Sequence, residues 1–306
     1  MFIKIDKITK KFDEIFCLKN FSISIKKGEI ISIIGPSGSG KSTILKCISG
    51  ICKIDKGKIS INNKRVDNLP VNERNISYVF QESPLFPHLN VKKNILFNLK
   101  KYDKEKLFFL LNKTKIENIQ NKYPYQISGG ENQRVALVRS LIRNPDLFLL
   151  DEPFNNLDNS NKNQLKKIII DIIKETNTTT IFVNHETQDS LEISDKILIL
   201  INGEKKTIDT PFNIYNKPKS LKIAKMFGEV NELIIDNKKV YFRIQNLIIT
   251  NKSSIKGRVI ESKFMGHFYK ITVKVDTQFV NLLSVKNIKK NEIIYLKVIK
   301  ENQLHF

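Results

Sequence analysis

The run Gly35-Pro36-Ser37-Gly38-Ser39-Gly40-Lys41-Ser42-Thr43 concentrates small residues and four hydroxyls around one lysine. Its glycines let successive backbone N–H groups converge on one point, and a helix N-terminus placed behind them adds a favourable dipole. Such a loop suits an anion with several oxygens. The run fits G-x-x-x-x-G-K-[ST] completely and lies between an apolar strand pattern and a helix pattern, as that phosphate-binding motif requires. On this reading Lys41 reaches the β- and γ-phosphates of a nucleotide, and Ser42 offers its hydroxyl to Mg²⁺.

A second chemical group lies farther along. The apolar stretch Leu147-Phe148-Leu149-Leu150 ends in Asp151-Glu152. A carboxylate at the C-terminal end of a parallel strand faces the ligand crevice. Asp151 is therefore suited to hold Mg²⁺, and Glu152 to polarise an attacking water.

The elements that would position these groups alternate between strand and helix. Short strand patterns at Ile3–Ile5 and Phe21–Ile25 precede the buried run Ile30–Ile34, followed by a helix from Lys41 that Gly50 is placed to end. A hairpin pattern covers Gly57–Arg65, and a strand ends at Ser77–Phe80. Residues 82–127 change character, with Pro84, Pro87 and helical runs such as Lys104–Asn112. The alternation then resumes: strand Leu147–Leu150, helix Asn161–Glu175, strand Thr180–Val183, helix Thr187–Ile193 and strand Lys196–Ile201. This order predicts a mainly parallel sheet covered by helices on both sides. From Val230 the period is 2, which predicts a small β-barrel.

The composition bounds the function classes. The 306 residues suit about two domains, and 41% hydrophobic with 27% charged content excludes wholesale disorder. Cys17, Cys47 and Cys52 form no CxxC pair, which excludes a zinc ribbon or disulfide scaffold and fits a reducing compartment. No apolar stretch is long enough to span a bilayer, and MFIKIDKITK does not read as a signal peptide. The net charge of +21 is almost all lysine and is denser in residues 235–306, with 14 Lys+Arg against 5 Asp+Glu. The interspersed pattern reads as a solvated surface, with an anionic polymer or membrane face as the alternative. Phe264, Phe268 and Tyr269 read as core of the barrel, and Cys47 and Cys52 as packing. His267 and His305 read as surface residues.

One further segment carries a family resemblance. Ile127-Ser128-Gly129-Gly130-Glu131-Asn132-Gln133-Arg134 resembles the LSGGQ signature of ATP-binding cassette (ABC) ATPases. Phe12 resembles the aromatic that stacks on adenine, and Gln81 in Val79-Phe80-Gln81 looks like the Q-loop glutamine. Asn155-Asn156-Leu157-Asp158 is similar to the D-loop, and His185 sits where the switch histidine follows a strand. The resemblance covers about residues 1–225. Leu85-Phe86-Pro87-His88-Leu89, Asp195-Lys196-Ile197 and the β-rich tail resemble import ATPases for maltose, polyamines, sulfate or ferric iron. Those carry a C-terminal TOBE-type β-domain. Four features depart from the pattern: Glu131 replaces the usual glutamine, Phe12 lacks the common tyrosine hydroxyl, Asn184 precedes His185 in place of threonine or serine, and the tail is shorter.

The resemblance implies a P-loop cassette over residues 1–228, with a helical subdomain at about 82–147, and an OB/TOBE-like β-barrel over 229–306. It implies ATP hydrolysis with Mg²⁺ held by Ser42, Gln81 and Asp151, and with Glu152, His185 and Gln81 as catalytic residues. The nucleotide would contact Phe12 and the loop residues Gly35, Pro36, Ser37, Gly38, Ser39, Gly40, Lys41, Ser42 and Thr43. Ser128, Gly129, Gly130 and Glu131 would address the ATP of a second cassette, and Asp158 would belong to the D-loop. Expected partners are transmembrane permease subunits, a second cassette (homodimer or paralogue heterodimer) and, indirectly, a substrate-binding protein. The expected location is the inner face of the cell membrane. Asp151-Glu152-Pro153-Phe154 and the short tail look most like the ferric-iron branch, so ferric iron is the expected cargo, with polyamine, sulfate and molybdate as alternatives. The rival class, a nucleic-acid-associated cassette ATPase, usually carries a long coiled-coil or zinc insertion or two fused cassettes, and this sequence has neither.

Overall fold

The computed structural model describes residues 1–306 except 14, 82, 83, 156, 236 and 300–302. The chain packs as two compact units, Met1–Pro211 and Phe212–Phe306. The expected boundary after residue 228 falls later. Two short helices precede it, and Arg243 of the second unit donates to a backbone carbonyl in each, at Tyr215 and Ala224.

The first unit holds two sheets. An antiparallel sheet runs β2-β1-β4-β5, formed by β1 (Ile3–Phe12), β2 (Ile15–Ile25), β4 (Lys56–Ile61) and β5 (Lys64–Arg65). The second runs β10-β9-β3-β8-β7-β6 and comprises β3 (Ile30–Ile34), β6 (Ile76–Val79), β7 (Leu147–Asp151), β8 (Thr180–Val183), β9 (Lys196–Ile201) and β10 (Glu204–Asp209). Within it β6, β7, β8, β3 and β9 are parallel, and β10 closes the edge antiparallel to β9. The parallel sheet meets the expectation. The antiparallel sheet adds to it: the strand patterns at Ile3–Ile5 and Phe21–Ile25 lengthen into β1 and β2, and the Gly57–Arg65 hairpin supplies β4 and β5. Register shifts after Ile5 and Ile8, and a positive φ at Lys7, break the period-2 pattern that would have betrayed β1.

Both faces of the parallel sheet are buried, which is why its strands read as continuous apolar runs. In β7, Leu147 and Leu149 join a core with Ile3, Ile5 and Ile44, while Phe148 and Leu150 join a second core on the opposite face. The helices of this unit are α1 (Lys41–Ser49), α2 (Val91–Ile95), α3 (Lys104–Thr114), α4 (Gly129–Leu141), α5 (Asn159–Glu175) and α6 (Thr187–Ile193). Val135 of α4 and Leu165 of α5 pack in that second core.

The second unit contains α7 (Pro211–Asn216), α8 (Leu221–Met226) and antiparallel strands. Strands β11 (Val230–Ile235), β12 (Lys238–Arg243) and β18 (Gln303–Leu304) form one sheet in the order β11-β12-β18. Strands β13 (Leu247–Thr250), β14 (Ile255–Phe264), β15 (Tyr269–Val275), β16 (Gln278–Ser284) and β17 (Ile293–Val298) form another in the order β13-β17-β14-β15-β16. Leu233 and Phe242 of the first share a core with Val259, Ile271 and Leu296 of the second. Phe264 is not in that core. It is 63% exposed and rests its ring on Tyr269, 5.2 Å between centroids, so the core reading fails there. It ends β14 on the solvent side of the pleat.

Candidate active site

The phosphate-type loop joins β3 to α1. Gly40 caps α1 with φ +98°, and a Cβ there would fall 2.7 Å from the Cys17 carbonyl oxygen. Only glycine meets both conditions. The C-terminal end of α1 is held by Arg74, which donates to the carbonyls of Cys47 and Ile48 at 3.1 and 2.9 Å. Lys41 is buried, and its Nζ donates to the carbonyl oxygens of Gly35 and Pro36 at 2.9 and 3.0 Å. Burial pushes its ammonium below the ordinary lysine range, while Glu152 and Asp151 pull the other way. Ser39 Oγ is buried without a hydrogen-bond partner among the described residues, an orphan hydroxyl inside the loop. Thr43 Oγ1 receives the Cys17 thiol at 3.1 Å.

Three strand ends converge beside this loop. Ser42 Oγ donates to Asp151 Oδ1 at 3.0 Å, and the Tyr78 hydroxyl donates to Asp151 Oδ2 at 2.7 Å. Burial and that bond together push the Tyr78 phenol well above its usual range, so it stays a donor. Glu152 follows β7 in a left-handed conformation, φ +52°, with its N–H donating to the Val183 carbonyl at 2.9 Å. This turn aims a nearly buried carboxylate at His185, whose Nε2 is 2.6 Å from Glu152 Oε1. The other oxygen accepts from the Asn155 side-chain amide. The helix after His185 is fixed to α5 by ion pairs from Lys162 and Lys166 to the buried Asp189, at 2.9 and 3.3 Å.

The remaining expected residues lie apart from this cluster in the described contacts. Gln81 is exposed in the turn after β6. Phe12 is 51% exposed at the end of β1, with Lys10 Nζ 5.2 Å from its ring. Phe16 on the paired strand borders a cavity of about 520 Å³ with Lys11, Asp55 and Lys56, and Lys11 Nζ lies 4.1 Å from its ring. Ser128 caps α4 and accepts from the Glu131 N–H at 3.2 Å, while Glu131 Oε2 accepts from the Ser128 N–H at 2.7 Å. This reciprocal pair is a capping box, and it occupies the carboxylate that replaces the usual amide. Gly129 and Gly130 open the same helix. Asp158 caps α5, accepting from Asn161 N–H at 2.9 Å. Asn156 of the D-loop stretch lies outside the described residues.

Residues 18–155 match the ABC transporter family. An Fe(3+) ions import ATP-binding protein of Fusobacterium nucleatum is 33% identical over 98% of this chain and 76% of that protein. A sulfate/thiosulfate import ATP-binding protein of Mesostigma viride is 33% identical over 99% of this chain and 95% of its own length. The chain belongs to the ABC transporter family. As an ABC cassette it binds and hydrolyses ATP. A spermidine/putrescine import ATP-binding protein of Bacillus thuringiensis is also 33% identical, over 95% of this chain and 89% of that one. Among solved structures, the dimeric cassette MJ0796 bound to ADP and Pi is 31% identical with a TM-score of 0.60, over 68% of this chain and 98% of that one. The cassette cbiO1 of Clostridium perfringens, part of the cbiONQ transporter complex, is 26% identical with a TM-score of 0.64, over 70% of this chain and 90% of that one.

Two residues of the ABC cassette escaped sequence reasoning, Tyr78 and Asn94. Tyr78 holds Asp151, as Asn155 of the D-loop stretch holds Glu152. Asn94 is fully buried, donates to the Phe86 and Leu89 carbonyls at 3.1 and 2.8 Å and accepts from the Phe86 N–H at 2.8 Å. It thereby pins the stretch after Pro84 against α2. Tyr78 stands three residues before Gln81 on an inward strand position, which is the one signal that could have flagged it.

Proposed function

We propose that this chain is the ATPase subunit of an ABC importer, and that Glu152 is its general base. The observation that carries the residue assignment is the meeting of Ser42, Asp151, Glu152 and His185 beside the buried Lys41. The orphan Ser39 hydroxyl and the backbone cradle suit phosphate oxygens, and Lys41 can exchange its two loop carbonyls for them. Glu152, fixed by His185 and Asn155, would take the proton of the attacking water.

Mg²⁺ fits the donor set. Ser42 and Asp151 present hard oxygens 3.0 Å apart, and no group of three or more His, Cys, Asp or Glu suited to a metal exists among the described residues. That is the pattern of a site completed by substrate phosphates. Ser42, Asp151 and Gln81 would hold the ion, which when bound neutralises charge on the β- and γ-phosphates.

The exposed signature supports function in a pair. Ser128 and Gly129 are exposed at the N-terminus of α4, where they can meet the γ-phosphate of a second cassette's ATP and Asp158 can meet its loop. For the permease, a cavity of about 450 Å³ is available between the end of β6 and α4, lined by Phe80, Leu85, Phe86, Phe97 and Arg139. Its exposed Phe80 and Phe97 suit an apolar helix of a transmembrane partner, and Asn94 holds one wall. No described helix is long and apolar enough to cross a membrane, and docking on the permease would place the chain at the inner face. The β-rich second unit is assigned as a TOBE-like regulatory domain. The relatives named for iron, sulfate and polyamines share the same identity, so cargo rests on Asp151-Glu152-Pro153-Phe154 and is assigned as ferric iron.

Purification from membranes in mild detergent should recover permease subunits together with ATPase activity. An active protein with no membrane partner would refute the importer reading. Recovery of a sugar- or amino-acid-binding partner would refute iron alone.

A further inference from the structure

The β1–β2 hairpin carries charges that the nucleotide site does not use. On β2 the Cys17 thiol reaches Thr43 of the phosphate loop at 3.1 Å. Successive strand residues point to opposite faces, so Phe16 beside it turns away from the loop, with Lys11 paired across from it on β1. These two border a cavity of about 520 Å³, and none of its lining residues belongs to the phosphate loop. Three lysines line it: Lys11 on β1, Lys19 on β2 and Lys56 on β4. Lys11 Nζ and Lys19 Nζ lie 4.1 and 5.8 Å from the Phe16 ring centroid, so two ammonium groups share one ring. The backbone under them is fixed. Lys19 N–H donates to the Gly203 carbonyl at 3.0 Å, and Lys56 is the register partner of Thr9.

The charge of this group is not balanced inside the cavity. Asp55 is the one acid in the lining, and both of its oxygens are taken, Oδ1 by Lys10 Nζ at 3.0 Å and Oδ2 by the Lys11 backbone N–H at 2.6 Å. Among the described residues none of the three ammonium groups has a carboxylate in ion-pair contact. Glu204 is held below the usual carboxylate range chiefly by its bond from Lys206, and Lys19 adds only a smaller pull. Like charges gathered in a concavity create a positive potential that concentrates anions there. Asn20 adds amide donors to the same lining. The volume lies within the range of small-molecule sites.

We propose that this cavity binds a polyphosphate chain, with Lys11, Lys19 and Lys56 on its oxygens, as a second anion site of the cassette. Three cations carried by three strands suit a ligand with several charged oxygens better than a single small ion. The chain can be a bare polyphosphate or that of a nucleoside polyphosphate, whose base would lie on the half-exposed Phe16 ring. The site stands apart from the phosphate loop and does not depend on the ATPase reading.

The test saturates the full chain with ADP in magnesium-free buffer, so that the phosphate loop is filled. Sodium tripolyphosphate is then titrated by calorimetry, against sodium chloride at matched ionic strength. One saturable site is expected. Lys11 and Lys56 are exposed, so Lys11→Ala and Lys56→Ala should fold, keep their affinity for ADP and lose roughly tenfold or more for tripolyphosphate. Lys41→Ala should do the opposite. If Lys41→Ala fails to fold, Lys56→Ala decides alone, because a loss of tripolyphosphate with ADP binding intact cannot come from the phosphate loop. Guanosine triphosphate, with the same number of phosphates, separates the two sources. Binding tighter than tripolyphosphate that Phe16→Leu weakens assigns a nucleotide, and binding no tighter assigns the bare chain. The proposal is overturned by the lack of a saturable response, or by an affinity unchanged in both Lys11→Ala and Lys56→Ala. It is equally overturned by binding that Lys41→Ala abolishes in a folded protein, which would place the anion in the phosphate loop.

Discussion

His185 Nε2 lies 2.6 Å from Glu152 Oε1, and the opposite carboxylate oxygen is taken by the Asn155 amide. The carboxylate is thus gripped from both sides while its backbone sits at φ +52°, a conformation that costs a non-glycine residue energy. Strain of this kind persists where the surroundings over-determine it, and here the Glu152 N–H to Val183 carbonyl bond, the histidine and the asparagine do so.

Glu152→Gln should therefore bind ATP and fail to turn it over. The amide keeps shape but cannot accept a proton, and loss of a general base costs about 10²- to 10⁴-fold in rate. Lys41 and the loop N–H groups still hold the phosphates. The variant should accumulate an ATP-bound dimer, seen as a larger species in size-exclusion chromatography, whereas Lys41→Ala should lose both binding and dimer. Wild-type turnover in Glu152→Gln would refute the base assignment.

Tyr78→Phe isolates the support of Asp151. The substitution removes the hydroxyl that donates to Oδ2 at 2.7 Å and leaves a buried carboxylate oxygen with one partner fewer. A cost of about 1–3 kcal/mol is expected in chemical denaturation. The Mg²⁺ concentration for half-maximal ATPase activity should also shift, because Asp151 can turn. A change in stability with no change in Mg²⁺ dependence would make Tyr78 a packing residue only.

How far these groups were legible depends on whether their partners are close in sequence. The phosphate loop and Asp151-Glu152 are contiguous motifs next to apolar strands, so residue order alone points to them. Tyr78 acts on Asp151 through adjacent parallel strands, a pairing that order along the chain does not reveal. The β1–β2 hairpin was hidden by bulges that put Ile5 and Ile8 on one core despite odd spacing. Phe264 looked like core because an aromatic on a period-2 strand usually is, and it fell on the solvent face of the pleat. Arg243 had no neighbouring signal at all, since its contacts to Tyr215 and Ala224 come from helices that precede the sheet.

Two exposed aromatics compete for the adenine ring. Phe12→Ala should weaken ATP binding by roughly 1–3 kcal/mol, the usual range for base–aromatic stacking. Phe16→Ala should have the smaller effect, even though Phe16 borders the cavity beside Lys11 and Asp55. Fluorescent-nucleotide titration of both variants decides between them. The reverse order would move the adenine to Phe16.

Glu131 offers a prediction that depends on pH. The Ser128 N–H holds its carboxyl below the usual glutamate range, aided by the Ser128 side chain and by Lys122 and Arg134. A carboxylate depressed in the folded state stabilises it fully above the unfolded pKa, and the effect is lost as pH falls through the folded value. Hydrogen-exchange protection of α4 should therefore weaken below about pH 4.3, the unperturbed glutamate value. Glu131→Gln preserves the acceptor of the capping box but removes a negative charge from the helix N-terminus, a change worth about 0.3–1 kcal/mol. That variant should lose a little protection at neutral pH and show no acid limb of its own. Ser128→Ala removes the acceptor for the Glu131 N–H and should cost about 1 kcal/mol of helix stability at every pH. An acid limb that persists in Glu131→Gln would assign the titration to another carboxylate and leave Glu131 free to face a nucleotide.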